Sequence, residues 1–77
     1  MTVKIYSTDW CVYCKMAKDF FNANKIEFEE INVENDSKAA NEMVEKSGQT
    51  WVPVIDINGQ IIVGFDKEKI KKVLKIK

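Results

Sequence analysis

Cys11 and Cys14 are the two cysteines of this 77-residue chain, with Val12 and Tyr13 between them. Thiols at that spacing can close a small disulfide ring and reopen it, which is the chemistry of thiol–disulfide exchange. They sit in the run Trp10-Cys11-Val12-Tyr13-Cys14, where an alternating apolar stretch gives way to a helical pattern. A strand-to-helix junction aims unpaired helix N–H groups at the first sulfur, and the helix dipole favours an anion there. Exchange requires a thiolate. The pattern therefore makes Cys11 the attacking sulfur and Cys14, one turn inside the helix and more shielded, the resolving thiol. Lys15 and Lys18 add positive potential near the pair, whereas Asp9 works against it.

Two plainer uses of the pair compete with this one. Free cysteine often packs as a small, unreactive hydrophobe. A Cys-x-x-Cys pair can also be half of a metal knuckle, but it supplies only half of the ligands that a closed structural zinc site takes. A second copy or an outside ligand would have to complete it, and no metal ligands are assigned. The chain has no histidine, which excludes Ser/His and Cys/His pairs and any histidine-bound metal. Twelve acidic residues offset twelve basic ones, all lysine, so the basic stripe of a nucleic-acid binder is missing. Hydrophobic residues make up 45% of the chain, enough to fill one small domain spanning residues 1–77 without a structural disulfide. No apolar run approaches membrane-spanning length, and no basic segment followed by a long apolar stretch opens the chain. A cytoplasmic monomer is expected, in a compartment where a stable structural disulfide would be unusual.

The elements that must hold the thiols follow from periodicity. Val3 and Ile5 alternate with Thr2, Lys4 and Tyr6, the pattern of a short strand. From Val12 the spacing changes: Val12, Met16, Ala17, Phe20 and Phe21 would line one face of a helix that weakens at Asn22 and Asn24, near Lys25. A second strand reads through Ile26, Phe28, Glu30 and Asn32, with Ile31 and Val33 on its other face. Asn35-Asp36-Ser37 is a helix cap, Ala39, Ala40, Met43 and Val44 give the buried face behind it, and Gly48 is the stop. Residues 52–57 and 61–63 are β-rich, and Asn58-Gly59 between them is a two-residue hairpin turn. After Gly64, Asp66 caps a last helix with Ile70, Val73 and Leu74 on its apolar face and lysines at its C-terminal end. The order is β-α-β-α-β-β-α. The helix between the first two strands makes them parallel through a right-handed crossover, and the last two form an antiparallel hairpin. Pro53 is the only proline. By itself it reads as the start of an edge strand, since an X-Pro bond is seldom cis; a cis bond would instead turn the Val52 backbone toward the thiols.

Three pieces in order then carry a likeness: Cys11-Val12-Tyr13-Cys14 followed by Lys15-Met16-Ala17-Lys18, then Val52-Pro53, then Gly64-Phe65-Asp66. Over essentially the whole chain they resemble the glutaredoxin branch of the thioredoxin superfamily, which includes the redoxins that reduce ribonucleotide reductase. The resemblance implies an α/β thioredoxin fold, a four-stranded mixed sheet flanked by helices. It implies a cis Val52–Pro53 bond, with Val52 pairing backbone to backbone with a bound disulfide substrate. It also implies that Tyr13 flanks the thiols and that Gln49, Trp51, Val52 and Pro53 belong to the substrate or glutathione groove. Gly64, Phe65 and Asp66 would meet one end of a glutathione molecule.

The departures from the family pattern are specific. Val12 replaces the usual proline after the first cysteine, and Thr8, followed by Asp9, stands where a lysine commonly holds a glutathione carboxylate. Trp51-Val52-Pro53 replaces Thr-Val-Pro, and Val63-Gly64 replaces Gly-Gly. Val12 and Gly64-Phe65 are similar to the ribonucleotide-reductase redoxins, although their Trp-Ser-Gly-Phe-Arg-Pro run is absent. Trp10 beside Cys11 is similar to thioredoxin itself. The expected function is a dithiol–disulfide oxidoreductase acting on protein or glutathione mixed disulfides, in an electron-donor role and with no tightly bound cofactor. Its expected partners are a disulfide-bearing protein and, as reductant, glutathione or a thioredoxin-reductase-type flavoprotein, with neither nucleic acid nor membrane. Two other readings stay open. One is an iron–sulfur cluster held between two protomers by the first cysteine and glutathione, with which Val12 is compatible. The other is a redox-inactive thioredoxin-like adaptor.

Overall fold

Strand alternation places two apolar sets on opposite faces of one sheet, and helices cover both. The computed structural model describes residues 2–76; Met1 and Lys77, the last of the C-terminal lysines, lie outside them. The elements are β1 (Val3–Ser7), α1 (Val12–Ala23), β2 (Glu29–Asn32), α2 (Ser37–Ser47), β3 (Val54–Ile57), β4 (Gln60–Val63) and α3 (Lys67–Leu74), in the order read from the sequence. The strands lie side by side as β2-β1-β3-β4. β1 is parallel to β2 and antiparallel to β3, and β3 is antiparallel to β4. This mixed sheet with its three helices is a thioredoxin fold.

On one face Val3 and Ile5 of β1, Ile55 and Ile57 of β3 and Ile62 of β4 pack against Ala17 and Phe21 of α1 and Ile70 of α3. On the other, Tyr6 and Val54 pack against Met43 of α2, with Ile31, Val33, Val52 and Ile61 at the margin. Each fully buried aliphatic side chain is worth about 1.5–3 kcal/mol in surface withdrawn from water. Local chemistry sets the element ends. The Asp36 carboxylate accepts from the Ala39 N–H at 3.1 Å and the Asp66 carboxylate from the Lys69 N–H at 3.2 Å, so both aspartates are N-caps. Gly48 ends α2 in the left-handed region at φ 72°, its N–H bonded to the Val44 carbonyl at 2.7 Å.

Three local expectations need correction. β2 begins at Glu29 rather than at Ile26, because Lys25 turns through φ 57° and the Ile26 N–H returns to the Phe21 carbonyl at 2.9 Å. Ile26 and Phe28 still pack against the α1-side core, but from the segment before the strand. Tyr6, read with the alternate face of the first strand, is fully buried, since β1 is central and α2 covers that face. On α1 the buried stripe is Cys14, Ala17 and Phe21; Val12 and Met16 are 70% and 44% exposed.

Candidate active site

The C-terminal end of β1 delivers the thiols. Residues 8–11 turn directly into α1, with the Cys11 N–H on the Thr8 carbonyl at 3.4 Å. Cys11 is itself the N-cap of α1, and its Sγ accepts from the Cys14 N–H at 3.1 Å. A free helix N–H thus meets the first sulfur, as the junction predicts. Cys11 is partly exposed, Cys14 is 0% exposed, and the two are joined as a disulfide across 5.2 Å between Cα atoms. Exposure separates the two sulfurs.

A second backbone segment faces this one. The Val52 carbonyl oxygen lies 3.8 Å from Cys11 Sγ, and the Val52–Pro53 bond is cis. The Pro53 carbonyl accepts from the Gly64 N–H at 2.8 Å, tying the segment to the end of β4, where Gly64 turns at φ 78°. Phe65 follows, its ring edge-on to Phe20 of α1 with centroids 5.9 Å apart.

Tyr13, Trp51 and Val52 form a ridge between two open cavities. On one side, a cavity of about 560 Å³ reaches Thr8, Trp10, Cys11 and Val12. On the other, one of about 370 Å³ reaches Pro53, Val63, Gly64 and Phe65. Trp51 is 77% exposed, and Trp10, Val12 and Tyr13 are also well exposed. No charged side chain lines either cavity among the described residues. The lysines near the thiols are engaged elsewhere: Lys15 with Asp19 at 3.4 Å and Lys18 with Glu30 at 2.7 Å. The Lys18 ammonium, with help from the Ser7 hydroxyl and against burial, holds the Glu30 carboxyl below its ordinary range. Asp9 accepts from the Asn32 amide at 2.9 Å.

Residues 3–62 match the glutaredoxin family model. The chain belongs to the glutaredoxin family. It is 46% identical over 72 residues to an uncharacterized glutaredoxin-like 8.6 kDa protein in the rubredoxin operon of Clostridium pasteurianum, covering 94% of this chain and 96% of that one. Among solved structures, the T8A variant of the thioredoxin-like protein BC3987 superposes with a TM-score of 0.92 at 28% identity, over 99% of this chain and 97% of that one. The NrdH-redoxin of Escherichia coli, a glutaredoxin-like protein described with a thioredoxin-like activity profile, gives 0.85 at 27% identity, over 95% of each chain. Family and Cys-x-x-Cys disulfide together make this glutaredoxin-family chain a redox protein of the thiol–disulfide oxidoreductase type.

Of the residues that the sequence assigns to this glutaredoxin site, Tyr13, Trp51, Val52, Pro53, Gly64 and Phe65 converge around one cavity. Gln49 and Asp66 line neither. The Gln49 amide folds back on the Ser47 hydroxyl at 3.0 Å and bonds the Trp51 backbone, bracing the loop rather than facing the groove. The Asp66 carboxylate is occupied in capping α3. Sequence reasoning did not single out Val33, Thr50 and Val63 as walls of the site. Val63 was legible as the outward-facing end of an alternating strand; Val33 and Thr50 carry no local signal and depend on how the sheet brings three loops together.

Proposed function

We propose that the chain reduces disulfides of protein substrates presented on apolar segments, and that a thioredoxin-reductase-type flavoprotein recharges it in preference to glutathione. The observation that carries this reading is the wall of the site: apolar side chains on both sides of the ridge beside Cys11, with no cation among the described lining residues. Glutathione brings carboxylates. A carboxylate moved into such a groove loses hydration and gains no charge-assisted bond. An apolar protein segment gains from the same walls, because exposed aromatic rings and valines leave water on contact.

The reaction runs through Cys11. Its thiolate attacks one sulfur of the substrate disulfide, that bond breaks, and the other substrate sulfur leaves as a thiolate. Cys14, losing its proton to solvent or to the leaving thiolate, attacks Cys11 Sγ in the mixed disulfide and expels the second substrate sulfur. The Cys11–Cys14 disulfide remains, and two electrons from the reductant reopen it. The Val52 backbone beside Cys11 Sγ supplies the ledge against which an extended substrate lies. The reading includes a monomeric, cytoplasmic protein with no tightly bound cofactor. The thioredoxin-like activity profile of the NrdH-redoxin supports the choice of reductant by likeness.

The test offers the oxidised protein two reducing systems in parallel, glutathione with its reductase and thioredoxin reductase with NADPH, with a protein disulfide as final acceptor. NADPH consumption should be about tenfold faster or more with thioredoxin reductase than with glutathione and glutathione reductase. Equal or faster turnover with glutathione overturns the choice of reductant.

A further inference from the structure

Trp51 lines both cavities, yet its ring is so exposed that its own burial does not hold it in place. The backbone around it is equally bare. The Gly48 N–H meets the Val44 carbonyl and the Pro53 carbonyl meets the Gly64 N–H, but between them no backbone–backbone hydrogen bond involves residues 49–52 among the described residues. Two side chains fill that gap. The Gln49 amide oxygen accepts from the Trp51 N–H, and the amide nitrogen donates to the Trp51 carbonyl at 3.3 Å. The same nitrogen donates to the Ser47 hydroxyl at 3.0 Å, and that hydroxyl lies 2.7 Å from the Met43 carbonyl and 3.1 Å from the Gln49 carbonyl. A primary amide carries two N–H donors and one acceptor oxygen, and a backbone N–H can only donate, so one amide orientation meets all three partners.

The far end of this chain of bonds is anchored. Met43 packs into the core beside Tyr6 and Val54, and Lys46, next to Ser47, donates to the Asp56 carboxylate of β3 at 2.8 Å. The last turn of α2 is thus fastened to the sheet, and Ser47 and Gln49 carry that hold to the Trp51 backbone. Val52 follows at once, with its carbonyl oxygen 3.8 Å from Cys11 Sγ. We propose that Gln49 is a positioning residue for the protein substrate: it clamps the Trp51 backbone, so that the ring and the Val52 ledge are in place before the substrate arrives. A loop ordered in advance spares binding the cost of ordering it. Gln49 lines neither cavity, and its hydrogen-bonding groups are spent on the chain itself, so it acts through Trp51 rather than by touching a ligand. The inference rests on the reading that protein substrates bind across this ridge.

Gln49→Met keeps the length of the side chain and removes every bond of the clamp, whereas Gln49→Glu keeps the acceptor for the Trp51 N–H and loses the donated bonds. Amide hydrogen exchange at Trp51, followed by NMR, reads the clamp without reference to function. It should quicken about fivefold in Gln49→Met, the size of one lost hydrogen bond, and less in Gln49→Glu. Steady-state reduction of a protein disulfide reads the consequence. KM should rise about fivefold in Gln49→Met while kcat stays within about twofold, with Gln49→Glu in between. Alkylation of reduced Cys11 by iodoacetamide should keep its unmodified rate, since the clamp does not touch the sulfur. The role is overturned if Trp51 exchanges in Gln49→Met as in the unmodified protein. It is equally overturned if exchange quickens and KM does not move, or if kcat and Cys11 alkylation fall with the rise in KM. If the unmodified protein does not turn over the protein disulfide, the underlying reading falls and takes the role with it; quickened exchange with KM unmoved removes the role alone.

Discussion

In the proposed reaction the two cysteines divide the work by exposure and by backbone. Cys11 caps α1 at the rim of the groove, where a substrate sulfur can approach, and Cys14 is wholly buried one turn later. Cys11→Ser should abolish disulfide reduction, because a serine hydroxyl is not an exchange nucleophile at neutral pH. Cys14→Ser should still attack but stall, leaving a mixed disulfide with the substrate that intact-mass spectrometry detects under non-reducing conditions. Retained turnover in Cys11→Ser would remove the assignment of the nucleophile. Trp51 tests the groove. It is highly exposed and lines both cavities, so Trp51→Ala should leave the urea midpoint within error. It should lower kcat/KM toward a protein disulfide about tenfold, the usual cost of losing an aromatic anchor at a contact. A small disulfide that does not reach the Trp51 ring should be turned over at the unmodified rate.

At the scale of elements, the helix ends and the hairpin were the most legible parts of the chain. Asp36, Gly48, Asn58-Gly59 and Asp66 act within a few residues of themselves, so their chemistry can be read without knowing the fold; the turn has φ 51° at Asn58 and 91° at Gly59. What was not legible depends on contacts far along the chain. Val12 and Met16 have the spacing of a core stripe, yet both are exposed, Val12 at the cavity beside Cys11, and periodicity does not distinguish an exposed apolar stripe from a core-facing one. Tyr6 has the register of a second strand face, and only the packing of α2 buries it. Asp66 separates an element-scale role from a site role. Its side chain caps an eight-residue helix, so Asp66→Ala should cost about 1 kcal/mol in urea unfolding, while Asp66→Asn, which caps equally well, should cost little. Neither should change the rate of disulfide exchange. A loss of exchange in Asp66→Asn, with stability intact, would return the carboxylate to the binding site.

Across the whole molecule, the α2 side of the sheet is fastened by charge as well as by apolar packing. Lys46 donates to the Asp56 carboxylate of β3 at 2.8 Å and to the Tyr6 hydroxyl of β1 at 2.9 Å, and the Tyr6 hydroxyl donates to Glu42 of α2. The second Asp56 oxygen accepts from the Gly59 N–H in the hairpin at 2.8 Å. One helix and both inner strands are therefore joined at a single ammonium. Burial pushes the Asp56 carboxyl up, but Lys46 and the Gly59 N–H outweigh it and hold it below its ordinary range. Asp56 and then Tyr6 keep the Lys46 ammonium charged well above the usual lysine range. A carboxyl whose affinity for protons falls on folding stabilises the fold above its unfolded value, and this is lost as pH drops through the folded one. An ammonium held more tightly on folding contributes at neutral pH and loses its share only in strong alkali. Asp56→Asn keeps the shape and an acceptor for Gly59 but removes the charge. At pH 7 it should destabilise by about 2 kcal/mol, between the values for surface and fully buried pairs, because Lys46 remains partly exposed. Once the pH has fallen through the folded value of the Asp56 carboxyl, the variant and the unmodified protein should unfold at closely similar urea concentrations. A difference as large in acid as at neutral pH would mean that the aspartate acts through shape and hydrogen bonding alone, and that charge does not fasten α2 to the sheet.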